Sequence, residues 1–209
     1  MTCETRERIL QCAARLFHEQ GYAATGVSTI LREAGVNSGS LYHFFPSKDD
    51  LLRGVLEWYL EHLGPRIMAP IEAEEPDPVK RVFRLFDWYR GFLEENGCRL
   101  GCPVGNLALE VSDTHPEVRE MVDRNFRNWT AHLERWLVEA GDRLPDDCDR
   151  RALASFMLTV MEGAVMQSRT ANSLAPFDAS VAELRRYFRQ LQRAAARGTV
   201  GTPALAQGA

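Results

Sequence analysis

The sequence predicts an all-α protein of about nine helices. Apolar residues recur at helical spacing along nearly the whole 209-residue chain, and almost no segment alternates apolar and polar residues as a strand does. Hydrophobic residues make up 45% and charged residues 26% of the chain, the balance of an ordinary globular protein with a sizeable core. The element boundaries follow from glycine, proline and capping residues, taken below in chain order.

The first helix is expected over about residues 4–20 and ends at Gly21, because glycine tolerates the left-handed backbone of a helix terminus. Thr25 is a good N-cap for a second, short helix, since its side-chain oxygen can accept a hydrogen bond from an early backbone N–H. Gly35 ends this second helix in the same way as Gly21. A tight turn therefore leads directly into whatever follows Gly35.

A third short helix is expected after that turn. Asn37 can cap its beginning, and Pro46 stops it. Ser47 then caps a fourth helix with an apolar face that continues for several turns. We expect this fourth helix to end at Gly64 and Pro65, followed by a connecting segment.

Five further helices are expected in the rest of the chain, over about residues 77–96, 103–111, 115–140, 149–171 and 178–196. The last residues are small and Gly-rich and lack apolar periodicity, so we expect them to be disordered. The predicted organisation is an N-terminal helix-turn-helix domain over 1–65, a second helical domain over 66–196 and a disordered tail over 197–209.

Charge and composition exclude several classes of protein. The net charge is −4, and residues 1–50 carry five basic and six acidic side chains, which is not the basic patch of a strong nonspecific nucleic-acid binder. No apolar run approaches the ~18 residues of a membrane span, and the N-terminus has no hydrophobic signal region. Five thinly spread cysteines indicate a reducing compartment. We expect a cytoplasmic protein with no membrane association.

Motifs of enzymes and metal sites do not occur. The five histidines lack HExxH spacing, and Cys98 with Cys102 has no second cysteine pair to complete a zinc site. Nucleophile elbows, phosphate-binding loops and dinucleotide fingerprints are equally missing. We therefore expect neither enzymatic activity, nor a cofactor, nor a metal.

The stretch from Ala34 to Leu52 predicts a helix-turn-helix, in which two helices are joined by a tight turn and the second enters the DNA major groove. Glycine and serine at the start of that helix would let its backbone approach DNA closely, and hydroxyls can bond base edges or phosphates. Helix starts also attract phosphate. The candidate DNA contacts are Thr25, Asn37, Ser38, Gly39, Ser40, Tyr42, His43 and Lys48; for Tyr42 and His43 the alternative is solvated surface.

Residues 25–52 resemble the DNA-binding signature of the TetR family of bacterial repressors. The resemblance is close over about residues 4–65 and beyond them extends only to helix number and order. Leu31 stands where the family usually has alanine, and Ser38 where it often has lysine. The residues that match are Thr25, Ile30, Ala34, Gly35, Val36, Gly39, Leu41, Tyr42, Phe45, Ser47, Lys48 and Leu51.

The resemblance implies an all-helical homodimer. Its first three helices bind a double-stranded DNA operator, the others form a pocket for a small-molecule effector, and the last two build a four-helix dimer interface. Effector binding changes the separation of the two DNA heads and releases the operator. The expected function is thus a repressor released from a palindromic operator by a small hydrophobic or reactive molecule; the alternative is a helical ligand-binding or adaptor protein without DNA binding.

A row of apolar residues near the C-terminus supports the homodimer. Phe177, Val181, Leu184, Phe188 and Leu191 are spaced 4, 3, 4 and 3 residues apart, like the a and d positions of a helix-on-helix seam. We therefore expect dimerisation through residues 149–196.

A mostly apolar ligand pocket is expected between the helices at 77–96, 103–111, 115–140 and 149–171. Its candidate residues are Phe92, Cys102, Asn106, Trp129, Met157 and Met161. Trp129 can equally be core, and Asn106 can equally cap the neighbouring Gly-rich loop. Some TetR-like regulators that sense electrophiles resemble this chain in carrying Gly-Cys near Cys102; the alternative is a buried packing residue.

Overall fold

The computed structural model describes residues 3–198, and within them it confirms the all-helical fold with nine α-helices. Eleven of the thirteen residues of the predicted tail, 199–209, lie outside the described residues, whereas 197 and 198 belong to the last helix. A short 3₁₀ turn, Gly141–Arg143, follows the seventh helix. The helices are α1 Cys3–Gln20, α2 Val27–Ala34, α3 Ser38–Phe44, α4 Lys48–Glu74, α5 Pro78–Glu95, α6 Pro103–Val111, α7 Pro116–Glu139, α8 Arg150–Ala171 and α9 Ala175–Gly198.

The short helices α2 and α3 begin and end at local signals. Asn37 Oδ1 accepts from the Ser40 N–H at 2.8 Å, and Ser47 Oγ accepts from the Asp50 N–H at 3.0 Å, so both predicted N-caps are confirmed. Gly35 has a φ of 61° and ends α2 in the left-handed conformation, where a side chain would be strained.

The predicted N-cap at Thr25 is wrong. Gly26 holds that position without a side-chain bond, and Thr25 is fully buried. The Thr25 hydroxyl donates instead to Gly21 O at 2.6 Å and also lies 3.3 Å from Leu16 O. This residue therefore ties the turn after α1 to the end of α1 rather than starting α2.

The predicted end of the fourth helix at Gly64 is also wrong. α4 continues to Glu74 through Pro65 and Pro70, each of which lacks the N–H for one intrahelical bond. Buried side chains beyond Pro65, namely Ile67, Met68 and Ile71, anchor the second half of α4 in a core and offset that loss. One helix thus joins the two ends of the molecule.

Two hydrophobic cores lie along α4. The first, the head core, packs α1, α2 and α3 around the first half of α4, with Phe17, Ile30 and Leu41 fully buried. α6 and the beginning of α7 also belong to it, through Val104, Leu107 and Val118 among others. The head is therefore built partly from helices that follow α5 in sequence.

The second core, the body core, packs α5, α7, α8 and α9 with the second half of α4. The seam predicted for the dimer lies inside it: Phe177, Val181, Leu184 and Phe188 are buried in the single chain, and Leu191 packs against them. The interpretation of this seam as a contact between chains is wrong, because its apolar residues are already covered by α5 and α8 of the same chain.

Candidate DNA-binding surface and ligand cavities

The outer face of α3 presents small and polar side chains to solvent. Ser38, Gly39 and His43 are exposed, and half of the Tyr42 surface is accessible, at 50%. Leu41, on the opposite face, is fully buried and fixes the rotation of this seven-residue helix against the head core. The arrangement leaves a convex, uncovered helix of the kind that fits the major groove of DNA.

The other four predicted DNA contacts are engaged within the chain. Thr25 and Ser40 are buried, and the side chain of Asn37 is used as the α3 cap. Lys48 Nζ donates to Tyr22 O at 2.6 Å and lies 4.2 Å from the centre of the Tyr22 ring. Desolvation lowers the pKa of Lys48, although Glu110 and Asp49 oppose this. Of these four residues only Asn37, which is exposed and directly precedes Ser38, lies beside the exposed face of α3.

Two further sets of exposed residues adjoin this surface. Ser28 and Arg32 lie on the outside of α2, and Arg6 and Arg8 lie on the outside of α1. The Arg6 guanidinium packs 5.4 Å from the ring centre of Phe45. The sequence offers Arg6 and Arg8 as an alternative place for DNA recognition, whereas Ser28 and Arg32 carry no signal beyond polar character at helical spacing.

The head is clamped to α6 by hydrogen bonds to backbone groups. The Glu110 carboxylate, near the end of α6, accepts from the Tyr22 N–H at 2.8 Å and from the Ala23 N–H at 2.6 Å. The Tyr22 ring packs edge-on against His115, and its hydroxyl bonds Asp49. The turn between α1 and α2 is therefore hydrogen-bonded to α6.

A cavity of about 420 Å³ separates head from body. Its walls come from α1, α4, α5, α7, the beginning of α6 and the Gly-rich loop before α6. Seven of the 18 lining residues carry aromatic or imidazole rings, so we call it the aromatic slot. Leu63, Ile67 and Leu100 complete the apolar lining. The rings that define it are His18, Trp58, Tyr59, Trp88, Tyr89, Phe92 and Trp129.

A larger cavity of about 1150 Å³ opens between α6, α7 and α8, and we call it the outer groove. Glu162 lies in its wall against Gly105, where an added Cβ would come within 2.5 Å of Glu162 Oε2. Burial raises the pKa of Glu162. Asn106 also lines this groove, and its Oδ1 accepts from Arg169 Nη1 at 3.1 Å.

The six predicted ligand contacts do not share one pocket. Phe92 and Trp129 line the aromatic slot, Asn106 lines the outer groove, and Cys102 lies in the wall between the two. Met157 and Met161 line neither cavity, because both are buried in the body core. Helical periodicity placed them on an inner face without revealing that neighbouring side chains fill the space there.

Cys102 is buried, and its pKa is raised well above the ordinary value by that burial, with Glu162 adding to the effect. Its Sγ accepts from the Gly105 N–H at 3.3 Å and caps α6. Cys98 is buried as well, and both thiols are free. A sensing thiol needs exposure and a lowered pKa; the geometry here is that of a packing and capping residue.

Within residues 3–198 no three His, Cys, Asp or Glu side chains cluster so that they could hold a metal ion. Likewise, none of the helices described combines the length and apolar character needed to cross a membrane.

Two regions of the chain match known families of regulatory proteins. Residues 9–55 match the family of bacterial regulatory proteins named after TetR, and residues 78–183 match the C-terminal domain of LmrA/YxaF-like transcriptional regulators. The chain is 30% identical to the HTH-type transcriptional regulator LmrA of Bacillus subtilis over 83% of its own length and 90% of that protein. It is 26% identical to the HTH-type transcriptional repressor DhaR of a Mycobacterium species, covering 83% and 86% of the two chains.

The fold recurs in solved structures. A TetR transcriptional regulator from Chloroflexus aurantiacus superposes with a TM-score of 0.78 at 30% identity, covering 90% of this chain and 95% of the other. The helix-turn-helix signature, the nine helices of the described part and both matched regions agree. The chain belongs to the TetR family of bacterial transcriptional regulators and is a DNA-binding regulator rather than an enzyme.

Proposed function

We propose that this regulator is a repressor that binds a palindromic operator as a homodimer, in the cytoplasm, and leaves it when a small hydrophobic molecule binds. In this proposal residues 1–65 act as the DNA-binding part and residues 66–196 as the ligand-binding and dimerisation part. The observation that carries it is the exposed face of α3, which is small and polar while its opposite face is locked into the head core.

DNA recognition in this proposal rests on Ser38, Gly39, Tyr42 and His43. In a two-fold dimer two copies of α3 would read half-sites about one helical turn apart, ~34–36 Å, or a multiple of this. The near-neutral charge of residues 1–50 means that shape and base contacts carry more of the affinity than in a strongly basic domain.

The dimer in this proposal uses the outer face of α8 and α9 rather than the buried seam. Phe156 and Tyr187 are 48% and 42% exposed and meet edge to face with ring centres 6.1 Å apart. Beside them is a groove of about 840 Å³ that includes Val160 and Gly163. Exposed aromatic residues around a small residue suit close helix packing in an interface.

In this proposal, α6 couples ligand binding to release of the operator. The beginning of α6 separates the aromatic slot from the outer groove, and its end holds the turn after α1 through Glu110. A ligand that displaces α6 therefore changes the position of the head, provided that it binds one arrangement of α6 more tightly than another.

The experiment begins by selecting an operator from a library of palindromes with variable spacers, and measures affinity by fluorescence anisotropy. Tyr42→Phe should weaken binding across all sequences, and His43→Ala should relax the preference for particular bases. Glu120→Ala alters an exposed side chain of α7, outside α3 and outside the proposed dimer face, and serves as the control. Failure to select any sequence, with nonspecific binding only, would favour the adaptor alternative instead.

A further inference from the structure

The aromatic slot is shaped for a flat ring. Trp88 and Phe92 are stacked with ring planes 2° apart and ring centres 5.8 Å apart. His18 also stacks on Phe92, with ring planes 11° apart and ring centres 6.0 Å apart. Tyr89 meets Trp129 edge to face at 6.1 Å. Parallel and perpendicular ring walls of this kind favour aromatic ligands, which can stack or pack edge-on against them.

Two buried hydrogen-bond donors in the slot have no partner among the described residues: Tyr89 Oη and Trp129 Nε1. Both side chains are deeply buried, with exposures of 5% and 6%. Across the part of the chain that the structure describes, every fully enclosed side-chain nitrogen or oxygen has a partner, so these two atoms keep some accessible surface, and both residues line the slot. Buried donors are costly to leave unpaired.

Trp88 is 41% exposed, and the remaining polar rings of the slot are already engaged. Tyr59 Oη donates to Ala14 O at 3.1 Å, and Trp58 Nε1 donates to Glu7 Oε1 at 2.7 Å. His18 Nε2 lies 2.7 Å from Gly101 O. Among the buried rings of the walls, the free hydrogen-bonding capacity therefore lies at Tyr89 and Trp129, and an indole N–H can only donate.

Charge among the lining residues of the slot acts in the same direction. The Arg66 guanidinium lies 5.6 Å from the ring centre of Trp58, and no described carboxylate comes within ion-pair distance of it. Glu19, the one acidic lining residue, is paired with Arg15 at 3.1 Å. An unpaired cation favours an electron-rich oxygen over a cationic ligand.

We propose that the aromatic slot binds a flat aromatic molecule carrying a carbonyl or phenolate oxygen, which accepts hydrogen bonds from Tyr89 Oη and Trp129 Nε1. This assignment rests on the ligand-responsive function proposed above and names the chemistry of its effector. Because α1 forms one wall, a ligand in the slot touches the DNA-binding head directly.

The test compares two probes with the same ring system, 9-fluorenone and fluorene, which differ by the carbonyl oxygen. Binding to the full-length protein without DNA is measured by calorimetry. Fluorenone should bind about five- to tenfold more tightly than fluorene, the effect of roughly one to two neutral hydrogen bonds. Tyr89→Phe should remove most of that difference by weakening fluorenone alone.

Two variants serve as matched controls. Tyr59→Phe removes a slot hydroxyl that is already bonded to Ala14 O, and Glu162→Gln alters the outer groove; both should keep the preference for fluorenone. Equal fluorenone affinity in wild type and Tyr89→Phe, no fluorenone binding at all, or a loss confined to Glu162→Gln would overturn the assignment.

Measuring operator binding in the presence of fluorenone distinguishes the slot assignment from the proposed function. If fluorenone binds in a way that depends on Tyr89 but the operator stays bound, the slot assignment is supported and the role of the slot in operator release is contradicted. Operator release by other compounds, with no fluorenone binding, would overturn the slot assignment and leave the proposed function standing.

Discussion

At the scale of single residues, Glu110 contributes two hydrogen bonds to the contact between α6 and the head. Glu110→Ala would leave the N–H groups of Tyr22 and Ala23 without their acceptor, so we expect a loss of about 1–2 kcal/mol in the free energy of unfolding. Urea unfolding measures it. Glu120→Ala, which removes an exposed carboxylate from α7, should change stability by less than about 0.5 kcal/mol. Equal losses in both variants would show that the clamp contributes nothing.

His18 is a second residue with a measurable consequence. Burial lowers its pKa, the hydrogen bond to Gly101 O opposes this, and Arg169 adds to the lowering. The unfolded chain therefore takes up a proton first as the pH falls below ~6.5, and the stability present above that pH is lost towards the folded pKa. His18→Gln removes the titration, so the fall in stability between pH 7 and pH 5 should be shallower than in wild type. Parallel curves for the two proteins would contradict the buried neutral imidazole.

At the scale of helices, local signals were sufficient for most boundaries. Asn37 and Ser47 cap the helices that their side chains predicted, because capping involves only residues a few positions apart. α4 was cut short because Pro65 breaks an isolated helix, whereas contacts of Ile67 and Met68 with distant helices keep this one continuous. Periodicity alone cannot tell which chain covers an apolar row, so the 177–191 seam was assigned to the wrong neighbour.

The buried and the exposed face of α9 should respond differently to substitution. Leu184→Ala should cost about 2–5 kcal/mol of stability, because Leu184 is buried within one chain. Tyr187→Glu should instead yield a folded monomer, since it places a charge on the exposed face. Circular dichroism and sedimentation velocity distinguish these outcomes. A Tyr187→Glu protein that remains a tight dimer would move the interface away from this face.

At the scale of the whole molecule, the two cavities share the wall that carries Cys102. The slot could not be predicted from sequence, because its lining comes from five helices spread along the chain and because one of its walls is α1, in the DNA-binding part. Only Phe92 and Trp129 were identified in advance, from aromatic character on inward faces. The family signature predicted the head far better, since it records neighbours in sequence that are also neighbours in space.

The most direct test of the account titrates a preformed complex between the protein and its selected operator with a compound that raises the thermal stability of the free protein. Fluorescence anisotropy reports the operator throughout. A ligand that is coupled to the head should weaken operator binding about 5- to 150-fold at saturation, and the operator should weaken ligand binding by the same factor. If the operator stays bound with unchanged affinity for every compound that stabilises the free protein, ligand binding does not control the affinity of α3 for DNA, and the account is contradicted.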